Sequence, residues 1–189
     1  MRIGICGGTF DPFHRGHLEP VLAVRETLGW DRVLYVPAAR QPFKSDQPAA
    51  SGYHRFAMAQ LATRDHDGVW VTPLELERTG TSYTVDTLDE LHRQNPGAQL
   101  DWIIGDDNVA AFDQWKNPER LLALARFVVL TRGAAQNDAR FTYAKNDVVS
   151  VSSTEIRRRI RADEPIDAFV DPLVSRYIHH YGLYKEDLT

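Results

Sequence analysis

The first twenty residues, Met1 to Pro20, read MRIGICGGTFDPFHRGHLEP. Arg2 to Cys6 is a short apolar run of strand type, Gly7-Gly8 interrupts it, and a helical period sets in near His17 and runs to Leu28. A strand that passes through a glycine turn into a helix is the opening of a βαβ unit, and the rest of the chain repeats the alternation. Strands are expected at Arg32 to Val36 (RVLYV), Val69 to Thr72, Leu100 to Ile104 (LDWII) and Phe127 to Thr131 (FVVLT), with a sixth at Val148 to Val151. Helices are expected at Tyr53 to Arg64, Val85 to Gln94 and Pro118 to Ala125, the last with Asn117 as N-cap and Pro118 at its first position. Ser152 and Glu155 have the spacing of a capping box, and a final helix starts at Asp171-Pro172 and stops at Gly182. The fold class that follows is α/β: a Rossmann-like, doubly wound parallel sheet of five to six strands with helices on both faces.

Composition narrows the setting. The 189 residues, 43% of them hydrophobic, are enough for one core, so one domain over 1–189 is expected, its end from about residue 150 onward helical. Twenty-two Lys plus Arg stand against 26 Asp plus Glu, for a net charge of -4, which gives no basic field for a nucleic-acid backbone. The one cysteine, Cys6, has no partner for a disulfide and no companions for a thiolate zinc site. No apolar stretch reaches membrane-spanning length, and glycine arrives too early for a signal peptide. A cytoplasmic protein that engages neither membrane nor nucleic acid is expected, with self-association into a homo-oligomer left open.

In an open parallel sheet, ligands bind beyond the carboxyl ends of the strands. That edge should gather the GGTF turn, the Gly105-Asp106-Asp107 turn after strand four, and Pro37 to Gly52 (PAARQPFKSDQPAASG), an aperiodic loop with three prolines. Glycines at 4, 7, 8 and 16 do not supply G-x-G-x-x-G, and the G-K-[ST] of a P-loop is missing. What remains is a glycine turn followed by His14 and His17. Two histidines three residues apart could be metal ligands, yet no third ligand stands at a usual spacing, so no protein metal site is expected. They could also simply cap or pack. Beside a glycine turn at a helix N-terminus, their other use is to donate hydrogen bonds to phosphate and follow charge onto a leaving group.

GGTFDPFHRGH resembles the T/HxGH signature of a nucleotidyltransferase superfamily, and VSSTEIR (Val151 to Arg157) is similar to the superfamily's second, I/V-S-S-T-x-I-R element. TSYTVDTL (Thr81 to Leu88), WIIGDD (Trp102 to Asp107) and FDQW (Phe112 to Trp115) resemble the bacterial nicotinate-nucleotide adenylyltransferases, over nearly the whole chain. The resemblance implies an adenylyltransferase that joins ATP and nicotinate mononucleotide, giving nicotinate adenine dinucleotide and pyrophosphate in NAD biosynthesis. Members that take nicotinamide mononucleotide or phosphopantetheine share the phosphate motifs, and a non-catalytic nucleotide sensor is the remaining alternative.

The same resemblance implies the roles of individual residues. His14, His17 and Arg157 would be catalytic, and ATP would also meet Gly8, Thr9, Phe10, Ser152, Ser153, Thr154 and Lys44 of the long loop. Nicotinate mononucleotide would meet Tyr83, the Thr84 backbone and Trp115, which would stack on the pyridine ring. Asp107 would hold a ribose hydroxyl or order a magnesium-bound water, while Asp11 would fix its turn. Mg2+ is expected with ATP and without dedicated protein ligands. Successive residues of the run RRRIR (157–161) lie about 100° apart on a helix, so Arg158, Arg159 and Arg161 are expected to be surface charges rather than a nucleic-acid patch.

Overall fold

The computed structural model describes residues 1–40, 48–131, 138–146 and 151–185. Six strands, β1 (Arg2–Gly8), β2 (Arg32–Pro37), β3 (Val69–Val71), β4 (Gln99–Gly105), β5 (Arg126–Thr131) and β6 (Phe141–Lys145), form one sheet. Every pairing is parallel and the order is β3-β2-β1-β4-β5-β6. From β1 the chain winds outward to β3, then returns to the centre and winds the other way through β4 to β6. The reversal falls between β1 and β4, the place where an open α/β sheet splays its loops and leaves a crevice.

Side chains alternate across the sheet, as the pleat demands. Ile3 and Ile5 of β1, Trp102 and Ile104 of β4, and Phe127 and Val129 of β5 share one core with the buried faces of α3 (Thr84–Gln94) and α4 (Pro118–Leu124). Cys6, Val33, Tyr35, Ile103 and Val128 face the other way, against α1 (Arg15–Leu28), α2 (Gly52–Thr63), α5 (Ser153–Arg161) and α6 (Pro172–Tyr181). The two-sided helical cover is the doubly wound arrangement expected from the alternation. Among the described residues, no helix is long and apolar enough to cross a membrane.

Three local expectations need correction. The sixth strand is Phe141–Lys145, not 148–151: residues 147–150 lie outside the described residues and Val151 is in no strand. FTYAK alternates on an edge strand only partly covered, so its apolar signal is weaker than that of the central strands. Helix α1 begins at Arg15, two residues before His17, because His14 caps it. Asn117 does occupy the N-cap of α4, but its side chain makes no capping bond; it supplies a left-handed backbone, φ 55°, instead.

One buried polar cluster ties the amino-terminal half of the sheet. Asp101, 1% exposed in the middle of β4, stands in register with Gly4 of β1 and Arg126 of β5. Its carboxylate accepts the Trp30 indole N–H at 2.6 Å and the Arg126 Nε–H at 3.0 Å, with Arg126 Nη2 closing a second bond. Gly4 is required here, since a β-carbon would lie 2.6 Å from the Trp30 ring. Asp101→Ala strands the buried indole N–H and frees Arg126, so we expect a loss of about 3 kcal/mol of unfolding free energy in urea titration, at an unchanged slope.

Candidate active site

At the carboxyl ends of β1 and β4 a cleft of about 160 Å3 opens, lined among others by Gly7, Gly16, His17, Tyr35, Ile104 and Gly105. Gly7 and Gly8 have a packing reason that the sequence did not show: a β-carbon would meet the Trp102 ring at 2.6 Å and the Phe10 ring at 2.7 Å. Phe10, with φ 53° and 5% exposed, sets its ring against Phe13, His17 and Tyr35. It is a wall of the cleft more than a surface contact. Cys6 also borders the cleft, but burial pushes its thiol far above the usual range, so it holds no thiolate nucleophile at neutral pH.

The two histidines are built into the start of α1. Their rings stack at 3.6 Å between centroids and 19° between planes. His14 sits at the N-cap, and its backbone N–H donates to His17 Nδ1 at 3.2 Å, the reciprocal pattern that Glu or Gln makes in a capping box. Because His17 Nδ1 accepts, the neutral ring carries its proton on Nε2. Gly16 lets the stack form, since a β-carbon there would press on the His14 ring and Val151 at 3.0 to 3.1 Å. Tyr35 Oη donates to the His17 carbonyl at 2.9 Å and holds the turn on the sheet.

The second motif is fastened to the first. Ser152 caps α5, accepting from the Glu155 N–H at 3.2 Å, while Ser153 Oγ donates to the Pro12 carbonyl at 3.0 Å and Arg157 Nη1 to the Asp11 carbonyl at 2.7 Å. Arg157 Nη2 reaches Thr154 Oγ1 at 3.4 Å. Thus Ser152, Ser153, Thr154 and Arg157 stand beside the His14–His17 turn although more than 130 residues separate them in sequence. The capping box is only half made. Glu155 turns to Arg158 and Arg159, whose guanidinium groups hold its carboxyl down to about 2. Arg158 and Arg159 also meet Glu164, so these two arginines are ion-paired rather than merely solvated.

Asp11 fixes its turn by holding three distant donors. Its buried carboxylate accepts the Ala49 and Ala50 N–H groups at 2.7 and 3.1 Å and the Tyr184 hydroxyl at 2.8 Å. Arg55, 1% exposed, braces the same place, donating to the Thr9 carbonyl at 2.6 Å and the Ala50 carbonyl at 3.2 Å. Arg55 and Tyr184 were not singled out from the sequence. A signal for Arg55 existed, since it shares a helical face with Met58, Ala59 and Ala62, where a charge is out of place. Tyr184, just past the last helix, gave none. Lys44 lies outside the described residues.

On the opposite face of the sheet, and not among the residues lining the cleft, Tyr83 is the N-cap of α3 and Thr84 its first residue; no side chain caps the helix. The Asp86 and Thr87 N–H groups turn back to the Tyr83 carbonyl, which leaves the Thr84 and Val85 amides at the open end. Trp115 is half-buried, one part of its ring against Phe112 and Phe127. Lys116, another residue the sequence did not flag, joins the two pieces: its ammonium lies 4.5 Å above the Tyr83 ring and 3.0 Å from Asp86. Asp107 is exposed on the 3-10 turn Asp106–Asn108, accepting from the Asn108 amide at 3.0 Å. Gly105 makes room for it, a β-carbon there falling 2.5 Å from Asp107 Oδ1.

Residues 5–159 match the cytidylyltransferase-like family. A probable nicotinate-nucleotide adenylyltransferase of Gemmatimonas aurantiaca is 39% identical, over 98% of this chain and 93% of its own length. One of the same name from Roseiflexus is also 39% identical, over 97% and 98% of the two chains. Among solved structures, a Plasmodium falciparum nicotinic acid mononucleotide adenylyltransferase complexed with NaAD superposes with a TM-score of 0.79 at 21% identity, covering 100% of this chain and 99% of that one. That likeness bears on the fold, and the sequence matches carry the kinship: the chain belongs to the cytidylyltransferase-like family, among the nicotinate-nucleotide adenylyltransferases.

Proposed function

We propose that residues 1–189 act as one catalytic unit that joins ATP to nicotinate mononucleotide, releasing pyrophosphate and forming nicotinate adenine dinucleotide. The observation that carries the reading is the meeting of two helix N-termini: α1 with its stacked histidines, and α5 bonded onto the same turn, at the crevice between β1 and β4. Full-length relatives named for this activity support the choice of acceptor.

A phosphate oxygen of nicotinate mononucleotide is already anionic. It attacks the α-phosphorus of ATP; an O–P bond forms as the bond to the bridging oxygen breaks, and the electron pair leaves on pyrophosphate. No proton need be removed, so the protein's work is alignment and charge compensation. His17 Nε2–H and the His14 ring would donate to phosphate oxygens as charge moves onto the leaving group. The N-terminal amides of α5, with Ser152, Ser153 and Thr154, add partial positive charge, and Arg157 brings a full charge held in place by Asp11. Gly8, Thr9 and Phe10 would shape the wall against the triphosphate, and Lys44 would supply a further cation. With ATP bound, magnesium would supply charge compensation through phosphate and water ligands, and the exposed Asp107 would order one such water or hold a ribose hydroxyl. A cytoplasmic setting fits this reaction, with ATP at hand and Cys6 kept as a free thiol.

For the acceptor, the uncapped amides of Thr84 and Val85 suit a carboxylate, which takes two N–H donors where an amide would present its own NH2 group to one of them. Trp115 offers its open face to the pyridine ring beside Tyr83. Purified protein with Mg–ATP and, in parallel, nicotinate mononucleotide, nicotinamide mononucleotide and phosphopantetheine should release pyrophosphate with a strong preference for the first. Turnover only with another acceptor contradicts the reading of α3, and no turnover with any contradicts the activity. His17→Ala should lower kcat about 100- to 1,000-fold while ATP affinity, measured by calorimetry, changes only a few-fold. Equal losses in both would reduce His17 to a binding group.

A further inference from the structure

Between β3 and α3 the chain carries a buried carboxylate that the reaction does not use. Glu75 is 4% exposed, in a turn closed by the Leu76 and Glu77 N–H groups on the Pro73 carbonyl. Its Oε1 accepts from Thr87 Oγ1 at 2.6 Å, and Arg78 Nη2 stands 3.7 Å away. Thr87 belongs to the first turns of α3, and its hydroxyl also accepts from Arg78. A threonine in a helix ordinarily gives its proton to the carbonyl four residues back. Here that carbonyl, of Tyr83, lies at 3.4 Å and Glu75 is the nearer acceptor.

Arg78 and Ser82 are the two ends of a short loop that includes Gly80 with φ +90° and leads directly into Tyr83 and Thr84. Glu75 therefore holds the Arg78 end of that loop and pins the helix that the loop enters. Ser82 holds the other end. Its Oγ accepts from the Ala39 N–H at 3.2 Å, and its own N–H donates to the Arg40 carbonyl at 2.9 Å, at the head of the long loop after β2.

A buried acid is costly: burial is the largest influence on Glu75 and raises its pKa, against the lowering pull of Thr87, Ser82 and Arg78. An apolar residue would fill the space at lower cost but could not fasten Thr87 and Arg78. We infer that Glu75 is a positioning residue for the acceptor site, setting where the Thr84 and Val85 amides stand by closing the 78–82 loop against α3. The inference rests on the acceptor reading above and touches neither the ATP phosphates nor the reacting atoms.

Steady-state kinetics on Glu75→Ala, Glu75→Gln, Thr87→Val and Trp115→Ala test it, each variant also checked for its thermal midpoint. Glu75→Ala should raise KM for nicotinate mononucleotide about tenfold, and lower its preference over nicotinamide mononucleotide by the same factor, with kcat and KM for ATP within about twofold. Glu75→Gln, which keeps an acceptor for Thr87, should recover part of the loss. An unchanged acceptor KM, or equal rises in both KM values, overturns the role. Should Glu75→Ala fail to fold, Thr87→Val, which removes the hydroxyl that Glu75 holds, decides on the same split, with an expected rise of about threefold. Trp115→Ala separates the two layers: if it leaves the acceptor KM unchanged, the acceptor reading falls; if it alone raises that KM, the Glu75 inference falls.

Discussion

The bond from Arg157 to the Asp11 carbonyl, with Ser153 on the Pro12 carbonyl beside it, is the constraint on which the site depends. It joins the start of α5 to the turn after β1 and makes one cradle of two motifs that are far apart in sequence. Everything near it is arranged to keep that turn in place. Asp11 holds the chain at Ala49 and Ala50 and the hydroxyl of Tyr184; Arg55 reaches Thr9 and Ala50 from α2; Tyr35 holds His17. The donors are carried by α2, the 49–50 segment and the chain beyond α6, so the turn is fixed from several sides rather than by its own short sequence.

This bracing has an electrostatic purpose. Helices α1 and α5 both bring N-termini to the end of β1, and each adds partial positive charge where a triphosphate would lie. The caps are chosen so as not to cancel it. His17 closes the cap of α1 on the His14 N–H with an imidazole nitrogen in place of the acidic residue usual in a capping box, and Glu155, which could have closed the box on α5, is drawn away by Arg158 and Arg159. On the other face of the sheet, α3 has no side-chain cap at all. The same chemistry is thus repeated three times, on helices from opposite faces of the sheet.

Much of this could be read from the sequence, and the parts that could not share a reason. The central strands announced themselves because burial on both faces makes them continuous apolar runs, and Gly7-Gly8, Pro118 and Ser152 marked helix starts by local backbone chemistry. The edge strand β6 did not, because FTYAK is only half covered and its pairing with β5 is a long-range fact. The glycine turn after β1 was legible, but its packing reason, the rings of Trp102 and Phe10, was not. Arg55, Tyr184, Lys116 and Glu75 were missed because each acts through partners elsewhere in the chain: Thr9, Asp11, Asp86 and Thr87 have no fixed spacing from them that a motif could encode. Asp101 inside LDWII belongs with these, a charge whose justification, Trp30 and Arg126, lies on other elements.

The central claim, that the two motifs form one unit, is tested most directly by a double-mutant cycle on kcat between His17→Ala and Arg157→Ala. If the stacked histidines and the fastened arginine act on the same charge in the same geometry, the double variant should lose far less than the product of the single losses, with a coupling above about 1 kcal/mol. Losses that multiply to within about 0.3 kcal/mol would mean that the two motifs act independently and would contradict the account.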